Sequence, residues 1–127
     1  MISDNLLKLL ARIFLAVLFV VTGLGKLVDP TGVAGVLANL HLPVALPLGY
    51  LVGICELIGA LAVVLGFRVR LVGLLLAAWC VATGLIVHLY MPMDLMKNLG
   101  LAGGFLLLAT NGAGAFSLRS PAEVVEA

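Results

Sequence analysis

Long apolar runs, separated by short polar or proline-containing stretches, occupy most of this chain. Four of the runs are predicted to be transmembrane helices, because about 20 apolar residues cross a hydrocarbon core of roughly 30 Å. Their predicted bounds are about 9–27, 47–67, 71–90 and 94–109. The predicted fold is therefore all-α: an integral membrane four-helix bundle that forms a single membrane domain over residues 1–127.

The stretch between the first two runs is predicted to form a short helix of its own. Asp29 precedes Pro30, a pair that is typical of a helix start. Apolar residues then recur at helical spacing as far as Leu40. We therefore expect a helix over residues 30–40 that lies in the membrane interface or dips into it.

Both ends of the chain carry polar residues. Lys8 and Arg12 lie one helical turn apart at the start of the first apolar run, and both are predicted to snorkel to the membrane interface. A basic start before an apolar run also suits a cleavable signal peptide, but no clean A-x-A-like site follows, so a retained span is preferred. Residues 117–127 are polar and are predicted to form a flexible tail.

Composition and charge exclude several classes of protein. Apolar residues make up 64% of the chain and charged residues 10%, whereas a soluble domain carries about 25% charged residues. The lipid bilayer is therefore the first predicted partner. A net charge of +1 provides no basic surface for nucleic acid.

Cys55 and Cys80 have no metal-ligand or thioredoxin-like spacing, so we expect no metal site and interpret both as packing residues rather than as a redox pair.

The basic residues predict the orientation in the membrane. With four spans, both termini share one face with the turn at 68–70, and five basic residues fall on that face against two on the other. Cytoplasmic loops carry the excess of Lys and Arg. A multi-pass protein of the cell membrane with both termini in the cytoplasm is therefore predicted. The two sets are Lys8, Arg12, Arg68, Arg70 and Arg119 on one face, and Lys26 and Lys97 on the other.

A carboxylate lies deep inside the second predicted span. Glu56 is about nine residues into it, roughly 13 Å at 1.5 Å per residue. A charge at this depth is costly unless it is paired or protonated. Polar residues of the other spans fall in the same, outer half of the membrane, which predicts an intramembrane polar cluster. Its predicted members are Lys26, Glu56, His88, Lys97 and Asn98.

The cluster has two interpretations. Intramembrane ionisable groups often form functional sites, but a buried pair can also simply fix the register of helices, and Lys26 and Lys97 are close enough to helix ends to snorkel. Small residues share the faces of these polar groups, and such stripes are typical of close helix packing. The predicted packing glycines are Gly49, Gly53, Gly100 and Gly104.

Several short segments together resemble the DoxX family of small bacterial and archaeal membrane proteins. The resemblance covers roughly residues 10–118 and rests on segments 22–27, 40–43, 56–59 with 65–67, and 97–99 with 102–104. It implies a four-helix membrane bundle. The Lys, Glu and Lys-Asn positions of the family map onto Lys26, Glu56, Lys97 and Asn98, and His88 lies where several relatives have His.

The resemblance leaves three functions open. Some DoxX-like proteins are subunits of thiosulfate:quinone oxidoreductases, so the chain is first interpreted as a subunit of a membrane redox complex whose polar cluster binds a quinone or a small sulfur species. The chain has no haem, flavin or iron–sulfur motif, so electrons would need a protein partner. The second interpretation is a non-catalytic scaffold or assembly factor that binds other membrane proteins or its own copies. The third is a small transporter or channel.

Overall fold

The structure, a computed structural model, describes residues 2–118. These residues form five α-helices and no strand. The all-α prediction is confirmed, and the short helix after the first span is present and one residue shorter at each end than predicted. The helices are α1 (Asp4–Val28), α2 (Thr31–Asn39), α3 (Ala45–Leu65), α4 (Val69–Ile86) and α5 (Pro92–Asn111).

Three of the helices are long and apolar enough to cross a membrane. Helices α1, α3 and α4 have 25, 21 and 18 residues and mean hydropathies of 2.2, 2.3 and 2.1. Helix α5 has 20 residues, but Asp94, Lys97 and Asn98 in its first two turns lower its apolar character. Among residues 2–118, three helices are thus able to span a membrane by length and composition, and the fourth span stays a prediction.

The four long helices form two closely packed antiparallel pairs. Helix α1 packs on α3, and α4 packs on α5, whereas α3 and α4 make few contacts although they are consecutive. Glycines permit both close approaches. A Cβ atom on Gly53 would lie 3.0 Å from the carbonyl oxygen of Gly23, and one on Gly73 would lie 2.9 Å from that of Phe105. Small residues at such positions let transmembrane helices pack backbone to backbone.

The two pairs meet in a core of apolar side chains. Phe105 of α5 is fully buried, and its ring lies 5.5 Å from that of Phe19 of α1 in an edge-to-face arrangement, which is a favourable geometry for aromatic pairs. Cys80 is buried in the same core. Cys55 is exposed, and neither cysteine forms a disulfide.

One end of the bundle, which we call the Arg12 end, contains the start of α1, the end of α3 and the segment that follows α5. Arg12 is fully buried there. Its guanidinium donates one hydrogen bond to the carbonyl oxygen of Val64 at 2.9 Å and another to that of Phe116. The prediction that Arg12 snorkels to the interface is wrong, because the last carbonyls of α3 lack helical partners and accept from the guanidinium inside the protein.

The turn between α3 and α4 closes this end. Gly66 has a φ of +73°, a left-handed conformation that favours glycine, and it packs against the Arg12 guanidinium and Ser117. The backbone N–H of Leu118 donates to the carbonyl oxygen of Leu65 at 2.8 Å. The first two residues of the predicted flexible tail 117–127 are thus part of the packed end, and the remainder lies outside the described residues.

The other end of the bundle carries α2. We call it the Glu56 end, because Glu56, in the middle of α3, faces a cavity that α2 borders at this end. Asp29, between α1 and α2, accepts hydrogen bonds from the hydroxyl and the backbone N–H of Thr31 at 2.6 and 3.0 Å. These bonds favour the charged carboxylate and hold the pKa of Asp29 below its usual value. They fix the turn that leads from α1 into α2, which then packs on α3.

Candidate functional site

Glu56 lies halfway along α3 and is almost completely buried, with a relative exposure of 6%. Its Oε2 accepts hydrogen bonds from the Nζ of Lys26 at 2.8 Å and from the hydroxyl of Thr22 at 2.9 Å. Its Oε1 lies 3.4 Å from the indole Nε1 of Trp79 on α4. The carboxylate therefore joins α1, α3 and α4 through side chains that donate to it.

The close approach of α1 and α3 puts the lysine within reach of this carboxylate. A Cβ atom on Gly53 would also lie 3.0 Å from the Cβ of Lys26, so the two helix backbones are as close as glycine allows beside the pair. Lys26 keeps 22% of its side-chain surface exposed, against 8% for Glu56. The two charges neutralise each other, so the site has no net charge and the cation remains accessible from one side.

A cavity of about 310 Å³ adjoins this pair at the Glu56 end, between α2, α3 and α4. Lys26, Glu56, Trp79 and His88 contribute its polar groups. The Nδ1 atom of His88 is buried and has no hydrogen-bond partner in the described part of the chain. The apolar part of the wall consists of Gly32, Val33, Val36, Leu37, Leu40, Val52, Ala82, Ile86 and Val87, with Thr83 beside them.

The predicted five-residue cluster is divided in the structure. Lys97 lies away from Glu56 and pairs instead with Asp94, three residues earlier on α5, at 2.6 Å, and both side chains are substantially exposed. Asn98 is buried, but its Nδ2 donates to the backbone carbonyl of Asp94 at 2.9 Å. Neither Lys97 nor Asn98 lines the cavity that contains His88. The structure thus brings together Lys26 and Glu56, with His88 on the same cavity.

The predicted packing glycines differ in their surroundings. Gly49 faces Pro30 and Val33 beside α2, Gly53 faces α1, and Gly104 faces Leu15 of α1. A Cβ atom on Gly100, in contrast, would meet nothing within 4 Å. No helix in the described part of the chain packs on Gly100, because this residue lies on the outer face of α5.

A second cavity, of about 530 Å³, forms a groove between α3 and α4. It shares Val52, Glu56 and Trp79 with the first cavity, and it lies where the consecutive helices α3 and α4 make few contacts. Apart from Glu56 and the indole nitrogen of Trp79, the lining is apolar: Leu51, Val52, Cys55, Ile58, Gly59, Ala62, Val72, Leu75 and Leu76.

Sequence reasoning missed two contributors to the site. Thr22 lies one helical turn before Lys26 on the same face of the first span, and Trp79 lies in the third predicted span. Neither residue is among the predicted members of the cluster. A signal for Trp79 was present in the sequence. Tryptophan in membrane helices is enriched at the two interfaces, whereas Trp79 lies near the middle of the predicted span 71–90, at a depth comparable with that of Glu56.

The site provides donors and a proton acceptor and no metal-binding set. In the part of the chain that the structure describes, no three His, Cys, Asp or Glu side chains are grouped so that they could hold a metal ion. The chemistry available at the cavity is therefore hydrogen bonding from Lys26, Trp79 and His88, together with proton exchange at Glu56 or His88.

Comparisons with known proteins place these residues in a family context. The DoxX family model matches residues 7–89, which include Lys26, Glu56 and His88 but not Lys97 and Asn98. The chain is 32% identical over 122 residues to the inner membrane protein YphA of Escherichia coli K12, covering 88% of this chain and 87% of that protein. It is 35% identical over 116 residues to the inner membrane protein YqjF of the same strain, covering 87% of each. No solved structure matches.

Proposed function

This chain belongs to the DoxX family of membrane proteins, and on that premise we propose that it is the membrane subunit of a redox complex and binds the polar head of a quinone beside Lys26 and Glu56. A small sulfur species is the alternative ligand for the same groups. One observation carries the proposal. The buried ion pair borders an open cavity. The same cavity is lined by His88, whose buried Nδ1 has no hydrogen-bond partner in the described part of the chain.

The cavity has the properties of a small-molecule site. Such sites are typically pockets of roughly 300–1,000 Å³, mostly apolar, with a few convergent polar groups, and the present cavity is at the lower end of that range at about 310 Å³. A purely structural ion pair is expected to be enclosed by packed side chains, because voids forfeit van der Waals contacts. Glu56 instead lines both cavities.

A quinone head matches these groups chemically. Its two carbonyl oxygens accept hydrogen bonds, and Lys26 and His88 are available as donors. Reduction to the quinol takes up two electrons and two protons per quinone. Glu56 would relay protons to the quinone oxygens, and the electrons would come from a partner protein, because the sequence contains no redox cofactor motif.

We also propose that the chain lies in the inner membrane with both termini in the cytoplasm. The two curated relatives are inner membrane proteins by name, and the excess of basic residues at the end of the bundle with the termini favours this orientation. The cavity beside Lys26 would then face the outer side of the membrane, where a partner that delivers electrons would dock.

The test is mass spectrometry of the quinones, lipids and proteins released from gently solubilised wild type and Glu56→Gln. Gln keeps the size of the side chain and removes its charge and its proton-relay function. We expect quinone in the wild type and its loss in Glu56→Gln. The matched control Asp94→Asn, whose carboxylate is partly exposed at the start of α5, should retain the wild-type amount. An equal amount of quinone in all three, or none in the wild type, would contradict the proposal.

A second candidate function, a scaffold for membrane partners or a homo-oligomer, is favoured by one observation. Gly100 and Gly103 lie on α5 with open space where a Cβ atom would be, although small residues in membrane helices commonly mark close helix contacts. Gly100→Leu should abolish retention of a partner, whereas Gly25→Leu, at an equally open glycine of α1, should not. Retention in both variants would remove this face as an interface.

A further inference from the structure

The two cavities lie next to each other, with Trp79 in the wall of both. They share Val52, Glu56 and Trp79 as common walls. The first is lined by the partly exposed Lys26 and by His88, and the lining of the second is almost entirely apolar. A polar cavity next to an apolar one suits an amphipathic ligand, one that has a small polar head and a long hydrocarbon tail.

Resting on the proposed function, we infer that the groove between α3 and α4 is the tail subsite for the isoprenoid tail of the quinone whose head occupies the Lys26 cavity. The groove has a volume of about 530 Å³, larger than that of the head cavity. Its walls include Leu51, Ile58 and Leu75, all more than half exposed, so the groove opens toward the acyl chains of the bilayer. A tailed ligand can therefore enter sideways from the membrane.

Charge favours a quinone over a phospholipid as the occupant. A phospholipid head brings a phosphate, and the positive charge of Lys26 is already compensated by Glu56 at 2.8 Å. An anionic head would also lie beside the Glu56 carboxylate, which is unfavourable in a low-dielectric site. A neutral head that accepts hydrogen bonds avoids both costs, so the electrically balanced pair selects for a neutral ligand.

The sparse contact between α3 and α4 has a physical consequence for this subsite. In lipid, burying apolar surface in the groove adds little binding free energy, because the lipid tails are as apolar as the groove. Association there depends on packing instead. A tail of matching shape therefore binds through close contacts, and a side chain that fills the groove removes those contacts. Ala62 and Cys55 line the groove from α3, and Phe at either position would occupy the space of the tail.

Fluorescence of Trp79 provides the readout, because it is the one tryptophan of the chain and lines both cavities. Nanodisc-embedded protein is titrated with dimethoxymethylbenzoquinone, which has no tail, and with its decyl derivative, and saturable quenching gives the two affinities. We expect Ala62→Phe and Cys55→Phe to weaken the decyl compound about tenfold, as for an overpacked site, and to leave the tail-free compound unchanged. Ala78→Phe, at an exposed alanine of α4 outside both cavities, should change neither.

The outcomes separate this inference from the proposed function. Saturable binding of the tail-free quinone, with decyl binding unaltered in both groove variants, would overturn the tail subsite and leave the head site intact. Absence of saturable binding of either compound to the wild type would overturn both. Using two groove variants protects the test, because Cys55 is exposed and its replacement does not disturb the core even where Ala62→Phe reduces the yield.

Discussion

The two ends of the bundle each bury a charge, but they do so in opposite ways. At the Arg12 end, the guanidinium is fully buried and donates to the backbone carbonyls of Val64 and Phe116. No carboxylate among residues 2–118 lies within ion-pair distance of it. At the Glu56 end, the carboxylate is paired with the partly exposed Lys26 and adjoins two cavities. The first charge is enclosed by the chain, and the second borders empty space.

This difference separates a structural charge from one that is available for a ligand. The buried guanidinium holds three chain segments together through two carbonyls. Its Nε has no hydrogen-bond partner among residues 2–118, but Arg12 lines neither of the cavities that adjoin Glu56. A carboxylate and an amine beside a cavity retain faces that a ligand can reach. Burial alone therefore does not distinguish the two roles, whereas the space beside each buried charge does.

The largest expected effect comes from removing the charge at the packed end. Arg12→Ala should lower the free energy of unfolding by about 3 kcal/mol or more, because the partly buried carbonyls of Val64 and Phe116 lose their donor and each such loss costs roughly 1–3 kcal/mol. The measurement is denaturation in detergent, followed by circular dichroism. Lys8→Ala removes a cation that donates to the carbonyl of Asn111 at the same end but is exposed, and it should cost less than about 1 kcal/mol. Equal losses would contradict the structural role of Arg12.

A backbone substitution tests the same end at its turn. Gly66→Ala should cost about 2 kcal/mol or more, since an L-residue at a φ of +73° is strained by roughly 1–2 kcal/mol and the new Cβ would also collide with Arg12 and Ser117. Gly103→Ala, in the middle of α5 with open space around it, should be neutral or stabilising. Detergent denaturation of both variants checks the difference, and a tolerated Gly66→Ala would show that this end is not tightly closed.

At the Glu56 end, removing both charges of the ion pair together is expected to destabilise the fold less than removing Glu56 alone. Glu56→Gln alone leaves Lys26 without its counter-ion, whereas the double variant Lys26→Gln with Glu56→Gln leaves no uncompensated charge. The double variant should therefore unfold within about 1 kcal/mol of the wild type while it loses bound quinone. If its loss of stability equals that of Arg12→Ala, the contrast between the two ends disappears.

The smallest expected effect belongs to the exposed pair on α5. Lys97→Ala should change the free energy of unfolding by less than about 0.5 kcal/mol, because exposed ion pairs on a helix contribute little. It should also leave quinone retention unchanged, since Lys97 lines neither cavity that contains Glu56. A loss of ligand in Lys97→Ala would restore Lys97 to the site that the sequence predicted.

Much of the fold was predictable because the membrane requires it. Apolar runs of sufficient length specify helices, and Asp29-Pro30 marked the start of the short helix between two of them. The depth of Glu56 predicted a partner inside the bundle, and the structure pairs Glu56 with Lys26, one of the residues proposed for the cluster. These inferences depend only on local sequence and on distances along helices.

The errors arose where contacts between distant segments decide the outcome. Whether Arg12 snorkels or is enclosed depends on the segment after α5, more than a hundred residues later in the chain. Lys97 was assigned to the cluster by its depth, but a nearer carboxylate on its own helix, Asp94, pairs with it. The divergence of α3 from α4, which creates the apolar groove, leaves no mark in the periodicity of either helix.

The most direct test of the contrast between the two ends is a titration of Trp79 fluorescence with tail-free dimethoxymethylbenzoquinone. The wild type, Lys97→Ala and the Lys26→Gln, Glu56→Gln double variant are compared after each has been shown to be folded. We expect saturable quenching in the wild type and in Lys97→Ala, and only weak, non-saturating quenching in the double variant. Identical saturable curves in all three would show that the pair at the Glu56 end is as purely structural as Arg12.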